Sequence, residues 1–366
     1  MTAWLRGVVR VTLSALAAGL AGCHSDAPAG PPPPPPPPPA APGWAMVNAG
    51  PESPGQHFMD TWFLTKDEGW VVGIPGDVYH TADGGTTWDV RHTSPNNGAQ
   101  AFRSVTFITP THGWVGDINF FNPVPHRAFW ETLDGGRTFT DISTQIIGPE
   151  PVGICGLWKV DASTVYGVGR WNGPAIFIKT TDGGVTWHSM NLAPLLTGAV
   201  DVYFFDQLHG LVVGGRGVGN TPAEQASSRT VVIMTSDGGA TWSERYVGST
   251  TGHWAWKISF PTPLIGYVAT QGGGADHVTI KTTDGGLTWS ELPVVTTELG
   301  FSGAGFVSPT LGWIGGETGA FETADGGTSW QKVAWAGDEA INRFRILSNG
   351  AAVAVGKHVF RYTPPN

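Results

Sequence analysis

The sequence predicts an all-β chain that folds as a seven-bladed β-propeller, and three observations lead to this expectation. The 366 residues include 53 Gly, 29 Pro and 17 Trp, while charged residues make up only 13%. No long apolar-periodic stretch is free of Gly or Pro, which favours many short strands joined by tight turns. From residue 44 onward the sequence repeats itself every 41 to 55 residues, a period typical of propellers and other repeat folds.

Six copies of an Asp-Gly-Gly motif define the repeat. Thr81 to Trp88 reads Thr-Ala-Asp-Gly-Gly-Thr-Thr-Trp, and every copy has Asp-Gly-Gly, any residue, Thr or Ser, and then Trp or Phe. The carboxylate can accept backbone hydrogen bonds of its own turn, the glycines permit positive φ, and the Trp supplies buried area. We therefore interpret the motifs (Asp boxes) as structural hairpin turns, not as catalytic or calcium-binding groups. Their aspartates are Asp83, Asp134, Asp182, Asp237, Asp284 and Asp325.

A second motif, a Phe six residues before a Gly, precedes the Asp-Gly-Gly turn in five regular copies, as in Phe63 and Gly69. One unit then contains strand A ending near the Phe, strand B beginning at the Gly, strand C, the Asp-Gly-Gly turn and strand D, which together make a propeller blade. After the sixth turn, Phe344 to Thr363 supplies three strands without a motif, and Trp44 to Val47 resembles a strand D with nothing before it. Pairing this N-terminal strand with the last blade gives seven blades over residues 44–366 and removes a free edge.

Residues 1–22 predict a lipoprotein signal peptide. Two arginines precede a short apolar run, too short to span a bilayer as a stable helix, which ends in Leu-Ala-Gly before Cys23. This ending resembles the lipobox of bacterial lipoproteins, in which the Cys thiol is lipidated; the alternative is an ordinary signal peptide with an incidental cysteine. Residues 23–43 would then be the lipidated Cys23 and a tether whose nine prolines, Pro31–Pro39, form a spacer of roughly 28 Å. We expect an extracytoplasmic protein held on a bacterial membrane by its lipid.

The face opposite the Asp-Gly-Gly turns is predicted to be the binding face. The long B–C loops lie there, and insertions gathered on one face are typical of a binding surface. The D–A loops are expected to add the candidate partner-binding residues Arg103, Trp254, Trp256, Arg343 and Arg345. Exposed aromatic rings beside arginines would suit a polypeptide or a sugar, although the two tryptophans could equally be packed between blades. Three acids are too weakly placed to form a catalytic pair: Asp60, Asp201 and Asp276.

Charge and residue spacing argue against nucleic acid, metals and cofactors as ligands. The net charge of −9 with dispersed basic residues argues against nucleic acid, because phosphate contacts need a basic face. The eleven histidines are scattered without metal-ligand spacing, so neither a metal nor a cofactor is expected. Cys155 lies in an apolar segment that favours an inert core thiol. We expect a monomer.

The combination of Phe-x5-Gly-Trp, an extended segment and Thr-x-Asp-Gly-Gly-x-Thr-Trp, closed as seven blades, resembles the photosystem II stability/assembly factor family. The likeness covers nearly everything after residue 43. Members of that family are non-enzymatic propellers that hold newly made membrane-protein subunits on the lumenal or periplasmic side of a membrane. The resemblance implies a non-enzymatic scaffold for a membrane or periplasmic protein, with Arg103, Arg343 and Arg345 nearest to the family's arginine patch. The acidic body and the proline tether depart from the family pattern, so the resemblance supports the fold and a scaffold role better than photosystem biology.

Two other functions remain open. Asp-Gly-Gly motifs also occur in sialidases, and Phe344 to Leu347 resembles their Phe/Tyr-Arg-Ile-Pro motif, but it lacks the Pro and lies at the wrong end of the chain. The three arginines, Tyr nucleophile and acid of that chemistry cannot be assembled from these residues. Xyloglucan-cleaving relatives use two propellers, and this chain has room for one. The remaining alternative is a carbohydrate-binding propeller that stacks sugars on its tryptophans.

Overall fold

The computed structural model of the protein describes residues 42–47, 57–94, 100–118, 127–272, 277–294 and 300–365. They form seven four-stranded antiparallel sheets, and residues 41–366 belong to one compact unit. The predicted all-β class and the seven blades are thereby confirmed. The predicted signal peptide, Cys23 and the prolines of the tether lie outside the described residues.

Each blade contributes four strands in the order A to D from the inside outwards. In blades one to three the strands are β2 (His57–Phe63), β3 (Gly69–Ile74), β4 (Val78–Thr81), β5 (Asp89–His92); β6 (Phe102–Phe107), β7 (Gly113–Asp117), β8 (Phe129–Thr132), β9 (Thr140–Asp141); β10 (Gly156–Lys159), β11 (Val165–Gly169), β12 (Ile176–Thr180), β13 (His188–Asn191). In blades four and five they are β14 (Gly198–Phe204), β15 (Gly210–Arg216), β16 (Arg229–Thr235), β17 (Ser243–Thr251); β18 (His253–Ser259), β19 (Gly266–Gly272), β20 (His277–Thr282), β21 (Ser290–Val294). In blades six and seven they are β22 (Phe301–Phe306), β23 (Gly312–Gly316), β24 (Gly319–Thr323), β25 (Gln331–Lys332); β26 (Ile341–Ile346), β27 (Ala352–Gly356), β28 (Val359–Thr363), β1 (Gly43–Val47).

The ring closes through the N-terminal strand, as predicted. β1 pairs antiparallel with β28, so that Trp44 lies opposite Tyr362. The indole of Trp44 stacks on Trp335 at 4.5 Å and meets Trp313 edge-on at 5.1 Å, which ties blade seven to blade six. Inner strands of neighbouring blades contact one another around the whole circle, including β2 with β26. The edge of β28 is therefore paired with β1, and the contact between β2 and β26 closes the ring.

The recurring Phe and Gly of the second motif are a packing pair. Phe63 and Gly69 face each other in the register of β2 and β3, and the corresponding residues do so in three other blades. A Cβ atom on this Gly would lie 2.2 to 2.6 Å from the Phe ring in all five copies of the motif. Only glycine leaves room for the ring at this position, which explains the fixed spacing.

The Asp-Gly-Gly turns connect strands C and D and bond to the A–B turns beside them. The Asp134 carboxylate accepts the backbone N–H groups of Arg137 and Thr138 at 3.0 and 2.9 Å and the Thr138 hydroxyl at 2.6 Å. The first glycine donates its N–H to a carbonyl of the A–B turn in all six blades, as Gly135 does to Thr111 at 2.9 Å. The A–B and C–D turns therefore share one face of the propeller, and the carboxylates are occupied by their own turns.

The other face carries the longer B–C loops. One of them holds the helix α1 (Pro222–Ser227), which begins with a capping box between Thr221 and Glu224, and a short 3₁₀ turn spans Ser143–Gln145 after strand β9. In the described part of the chain, no helix has the length and apolar character needed to cross a bilayer.

Candidate functional site in the central channel

The inner strands surround a central channel, and β-bulges decide which side chains point into it. Six inner strands (β2, β6, β14, β18, β22 and β26) shift register against their B strands, for example between Phe102 and Ser104. A bulge adds an unpaired residue and redirects the side chains that follow it. Side chains from opposite blades consequently meet at the axis.

A layer of charged groups lies at the middle of the channel. Arg343 of blade seven donates from Nη1 to Asp201 Oδ2 of blade four at 2.6 Å, and its Nε lies 3.3 Å from Asp60 Oδ1 of blade one. The ammonium of Lys257, from blade five, lies 3.6 Å from Asp201 Oδ1 and donates to the Cys155 carbonyl at 3.3 Å. All four charged side chains are nearly inaccessible to solvent. A ring of ion pairs thus links four blades through the axis.

The two carboxylates also fasten neighbouring inner strands. Asp60 Oδ2 accepts the backbone N–H of Val105 at 3.2 Å, and Asp201 Oδ2 accepts that of Ile258 at 3.0 Å. Each acceptor lies on one blade and its donor on the next, so these aspartates stabilise the ring as well as the charge layer.

An aromatic layer lies next, towards the A–B turns. Trp62 meets Trp158 edge-on at 5.8 Å, and Trp158 contacts Tyr203 at 4.5 Å, while Tyr203 stacks on Phe260 at 4.9 Å. The guanidinium of Arg345 lies over the rings of Trp62 and Trp158, at 4.6 and 5.5 Å. Its Nε donates to the Thr61 carbonyl at 3.1 Å. The Arg345 guanidinium therefore makes cation–π contacts with two indole rings of this layer.

A third layer lies towards the D–A loops. The Arg103 guanidinium donates to the Met59 carbonyl at 2.9 Å and lies 5.2 Å from the ring centre of Trp256. Trp254 is buried against Trp171, with ring centres 6.0 Å apart. Together with apolar side chains of neighbouring blades, these indoles form a packed cluster at this end of the channel.

A cavity of about 420 Å³ occupies the opposite end, where strand A of several blades passes into the A–B turn. Its walls include Trp158, Tyr203 and Phe260, and its floor is formed by Arg343 and Arg345. We call it the channel cavity. The channel cavity opens on the face of the Asp-Gly-Gly turns, whereas the sequence predicts recognition on the opposite face, which stays a prediction.

Burial and charge shift the pKa of several channel groups. Burial would raise the pKa of Asp201, but Arg343 and Lys257 outweigh it and hold the pKa below its ordinary value. Burial lowers the pKa of Lys257 to about 8 despite the nearby Asp201. Burial, together with the neighbouring charge of Arg343, lowers the pKa of Arg345 to about 9. The neighbouring cations thus favour the ionised form of Asp201, whereas burial weakens the affinity of Lys257 and Arg345 for their protons.

The predicted partner-binding residues lie elsewhere than the sequence indicated. We expected Arg103, Trp254, Trp256, Arg343 and Arg345 in exposed D–A loops, and this placement is wrong. They belong to the inner strands β6, β18 and β26, and all of them except the half-buried Trp256 are buried. The bulged inner strands begin earlier and turn these side chains inwards. The structure nevertheless brings four of the five, Arg103, Trp256, Arg343 and Arg345, into the channel, and Trp254 packs against Trp171 at one end of it.

Sequence reasoning missed Lys257 and the aromatic layer, and it gave Asp60 and Asp201 no role. A signal was present. Asp60, Asp201 and Lys257 each stand three residues before the recurring Phe of their blade, so they occupy equivalent positions on inner strands. Asp276 and Cys23 lie outside the described residues. Within the described ranges, no group of three or more His, Cys, Asp and Glu side chains could hold a metal ion.

No protein-family model and no curated protein sequence matches this chain. Solved structures do. A structure described as YCF48 bound to D1 peptide is 17% identical, with a TM-score of 0.61 over 88% of this chain and 96% of that one. YCF48 from Cyanidioschyzon merolae is 16% identical, with a TM-score of 0.63 over 88% of this chain and 100% of that one.

Enzymes share the architecture as well. The GH74 xyloglucanase from Xanthomonas campestris is 13% identical, with a TM-score of 0.60 over 86% of this chain. The chain spans about half of that enzyme, 52% of its length. At such identities the likenesses establish the fold, and the chain is accordingly a seven-bladed β-propeller with the architecture seen in YCF48.

Proposed function

We propose that the protein is a non-enzymatic scaffold, lipid-anchored outside the cytoplasm, that binds a segment of a membrane or periplasmic protein. The channel cavity carries this proposal. It is a concave site with aromatic walls, formed in part by Tyr203 and Phe260, and an arginine floor. Aromatic and arginine side chains in desolvated pockets supply most of the binding energy in protein interfaces.

The likeness to YCF48 supports a polypeptide ligand. One of the similar structures is described as bound to D1 peptide, and the match extends over 88% of this chain. Closed rings of this kind present a preorganised site on a rigid frame, which lowers the entropic cost of binding. The lipobox-like sequence before Cys23 supports attachment to a membrane.

The ion pairs of the channel argue for a binding function over hydrolysis. A glycosidase needs one carboxyl group that stays protonated and a second that acts as base or nucleophile. Asp60 and Asp201 both pair with Arg343, and the pKa of Asp201 is lowered. An acid held in its ionised form by arginine is a poor proton donor.

The binding proposal is tested by blocking the cavity. Ser348 is exposed and lines the channel cavity, so Ser348→Trp should fill its mouth without disturbing the core. Arg245, exposed on strand D of blade four, gives the matched control Arg245→Trp. Residues 41–366 are used as bait for detergent-solubilised membranes, because all seven blades lie within them.

We expect the wild-type bait and Arg245→Trp to recover the same membrane or periplasmic protein, and Ser348→Trp to lose it. Titration calorimetry with the purified partner should then give an affinity at least tenfold weaker for Ser348→Trp. Equal recovery by all three baits would place recognition outside the cavity. Turnover of a fluorogenic glycoside that Asp60→Asn or Asp201→Asn abolishes would contradict the non-enzymatic reading.

The anchor is tested separately. In a bacterial host, Cys23→Ser should move the protein from the membrane fraction to the soluble fraction and abolish incorporation of labelled palmitate. Cys155→Ala is the matched control, because this buried thiol lies outside the lipobox and its loss should leave both readouts unchanged. Palmitate labelling that survives Cys23→Ser would refute lipidation at this residue.

A further inference from the structure

The channel has a surplus of buried positive charge. The described residues place four cations there, Arg103, Lys257, Arg343 and Arg345, against the carboxylates of Asp60 and Asp201. Buried charges are costly unless each is paired and hydrogen-bonded. The four cations of the channel thus exceed its two carboxylates by two positive charges among the described residues.

The unused donors identify where the surplus lies. Nη2 of Arg345 is buried without a hydrogen-bond partner among the described residues and lies 3.9 Å from Asp60 Oδ1, beyond hydrogen-bond length. Nη2 of Arg103 is also buried without a partner. Arg345 forms part of the floor of the channel cavity, whereas Arg103 lies beneath indoles at the other end. Of these two arginines, Arg345 is the one that lines the channel cavity.

We infer that the floor of the channel cavity is a binding site for one monovalent anion, a halide or a carboxylate group, held by Arg345 together with Arg343. Arg345 offers the free Nη2 donor, and Arg343 contributes its charge while it remains paired with the aspartates. The volume of about 420 Å³ admits a halide or a small carboxylate with its remaining waters. A bound anion reduces the net charge of the layers and gives the orphaned N–H group a charge-assisted acceptor.

The aromatic walls restrict which anions fit. The Arg345 guanidinium lies beside the rings of Trp62 and Trp158, which meet each other edge-on, so aromatic faces border the cation. A planar guanidinium matches the two oxygens of a carboxylate, and a cavity of about 420 Å³ suits a small anion. The carboxylate could be a free small acid or the acidic group of a bound polypeptide, and both present the same chemistry.

Chloride and acetate are the probes. The broadening of the chloride NMR line by the full chain reports chloride in exchange with the protein, and acetate that shares the site narrows the line again. We expect saturable broadening with the wild-type protein. Arg345→Gln should weaken chloride affinity about tenfold or more, the effect of losing one charge-assisted hydrogen bond. Arg245→Gln, at an exposed site, should leave the affinity unchanged.

A second variant of opposite sign keeps the test independent of folding defects. Asp60→Asn removes a negative charge 3.9 Å from Arg345 Nη2, so chloride should bind more tightly than in the wild type. A variant that merely unfolds the channel cannot tighten binding. Crystals soaked in sodium bromide should in addition show an anomalous peak within hydrogen-bond distance of Arg345.

The outcomes distinguish a free anion, a carboxylate ligand and water as the occupant of the site. Saturation by chloride alone identifies a free anion as sufficient. Displacement of chloride by acetate at much lower concentration identifies a carboxylate as the preferred ligand. Absence of saturable broadening, or equal broadening in Arg345→Gln and the wild type, overturns the inference and leaves water as the occupant. None of these readouts requires a protein partner, so the scaffold proposal stands or falls separately.

Discussion

Replacing Arg343 by methionine should destabilise the propeller more than any exposed arginine replacement. Arg343 is 3% exposed and bridges Asp60 and Asp201 through ion pairs of 3.3 and 2.6 Å. Methionine keeps most of the side-chain length but removes the charge. The nearest remaining cations are Lys257, 3.6 Å from Asp201, and Arg345, 3.9 Å from Asp60, and both distances exceed a good hydrogen bond.

The expected cost follows from the geometry of the buried pair. Removing one partner of a buried ion pair costs about 3–5 kcal/mol, because the remaining charge is left without compensation. The entropy of unfolding is about 2.1 cal/mol/K per residue near 60 °C, so for a unit of roughly 320 residues this cost lowers the thermal midpoint by about 4–7 °C. Scanning calorimetry of Arg343→Met against Arg245→Met measures it, and the exposed control should change the free energy by less than about 0.5 kcal/mol.

A double variant tests whether the ion pair is the cause. Asp201→Asn removes the carboxylate that Arg343 bonds at 2.6 Å, so in the double variant Arg343→Met has less charge to leave unpaired. The loss of unfolding free energy in the double variant should be smaller than the sum of the two single losses by about 1–3 kcal/mol. Strict additivity, or a midpoint for Arg343→Met that equals that of Arg245→Met, would refute the electrostatic reasoning.

Three further predictions concern the frame of the propeller. Acidification from about pH 4 to pH 2 should steadily reduce the free energy of unfolding measured by urea titration. The aspartates of four Asp-Gly-Gly turns have folded pKa values of about 2, below the ordinary 3.8. The stability that their ionised forms contribute is therefore lost as they protonate. Gly184→Ala should lower the free energy of unfolding, measured by thermal unfolding, by about 1–3 kcal/mol more than Gly350→Ala does. Both glycines have positive φ, but only at Gly184 would a Cβ lie 2.2 Å from Trp114. Trp44→Ala should cost about 3 kcal/mol and speed amide hydrogen exchange in β1 and β28, and unchanged exchange there would contradict the closure role of β1.

The frame could be predicted from sequence because its determinants are local. The Phe and Gly of each A–B turn, and the Asp, glycines and hydroxyl residue of each C–D turn, interact within one hairpin. The spacing of these motifs therefore predicts the order of the strands in each blade. The closing strand was also predictable, because Trp44 to Val47 could be recognised as an isolated strand D with no partner of its own.

The channel could not be predicted in the same way, because its contacts are long-range and its strands are bulged. Arg343 and Asp201 are 142 residues apart in sequence, and nothing local connects them. The bulge between Ile341 and Arg343 breaks the alternation of inward and outward side chains that a strand reading assumes. Simple alternation therefore predicts the arginines in D–A loops, whereas they lie on the inner strands β6 and β26.

The channel also explains why the residues that form the candidate site are those that differ between blades. In a closed ring, equivalent positions of the inner strands converge on the axis, so identical charges there would repel one another at short range. The position three residues before the end of the A-strand motif carries two acids, two bases and three small residues, and this mixture lets opposite charges pair across the ring. Its occupants are Asp60, Ser104, Gly156, Asp201, Lys257, Gly303 and Arg343. Repetition therefore marks the residues that build each blade, whereas variation at one repeated position marks the residues that meet at the axis.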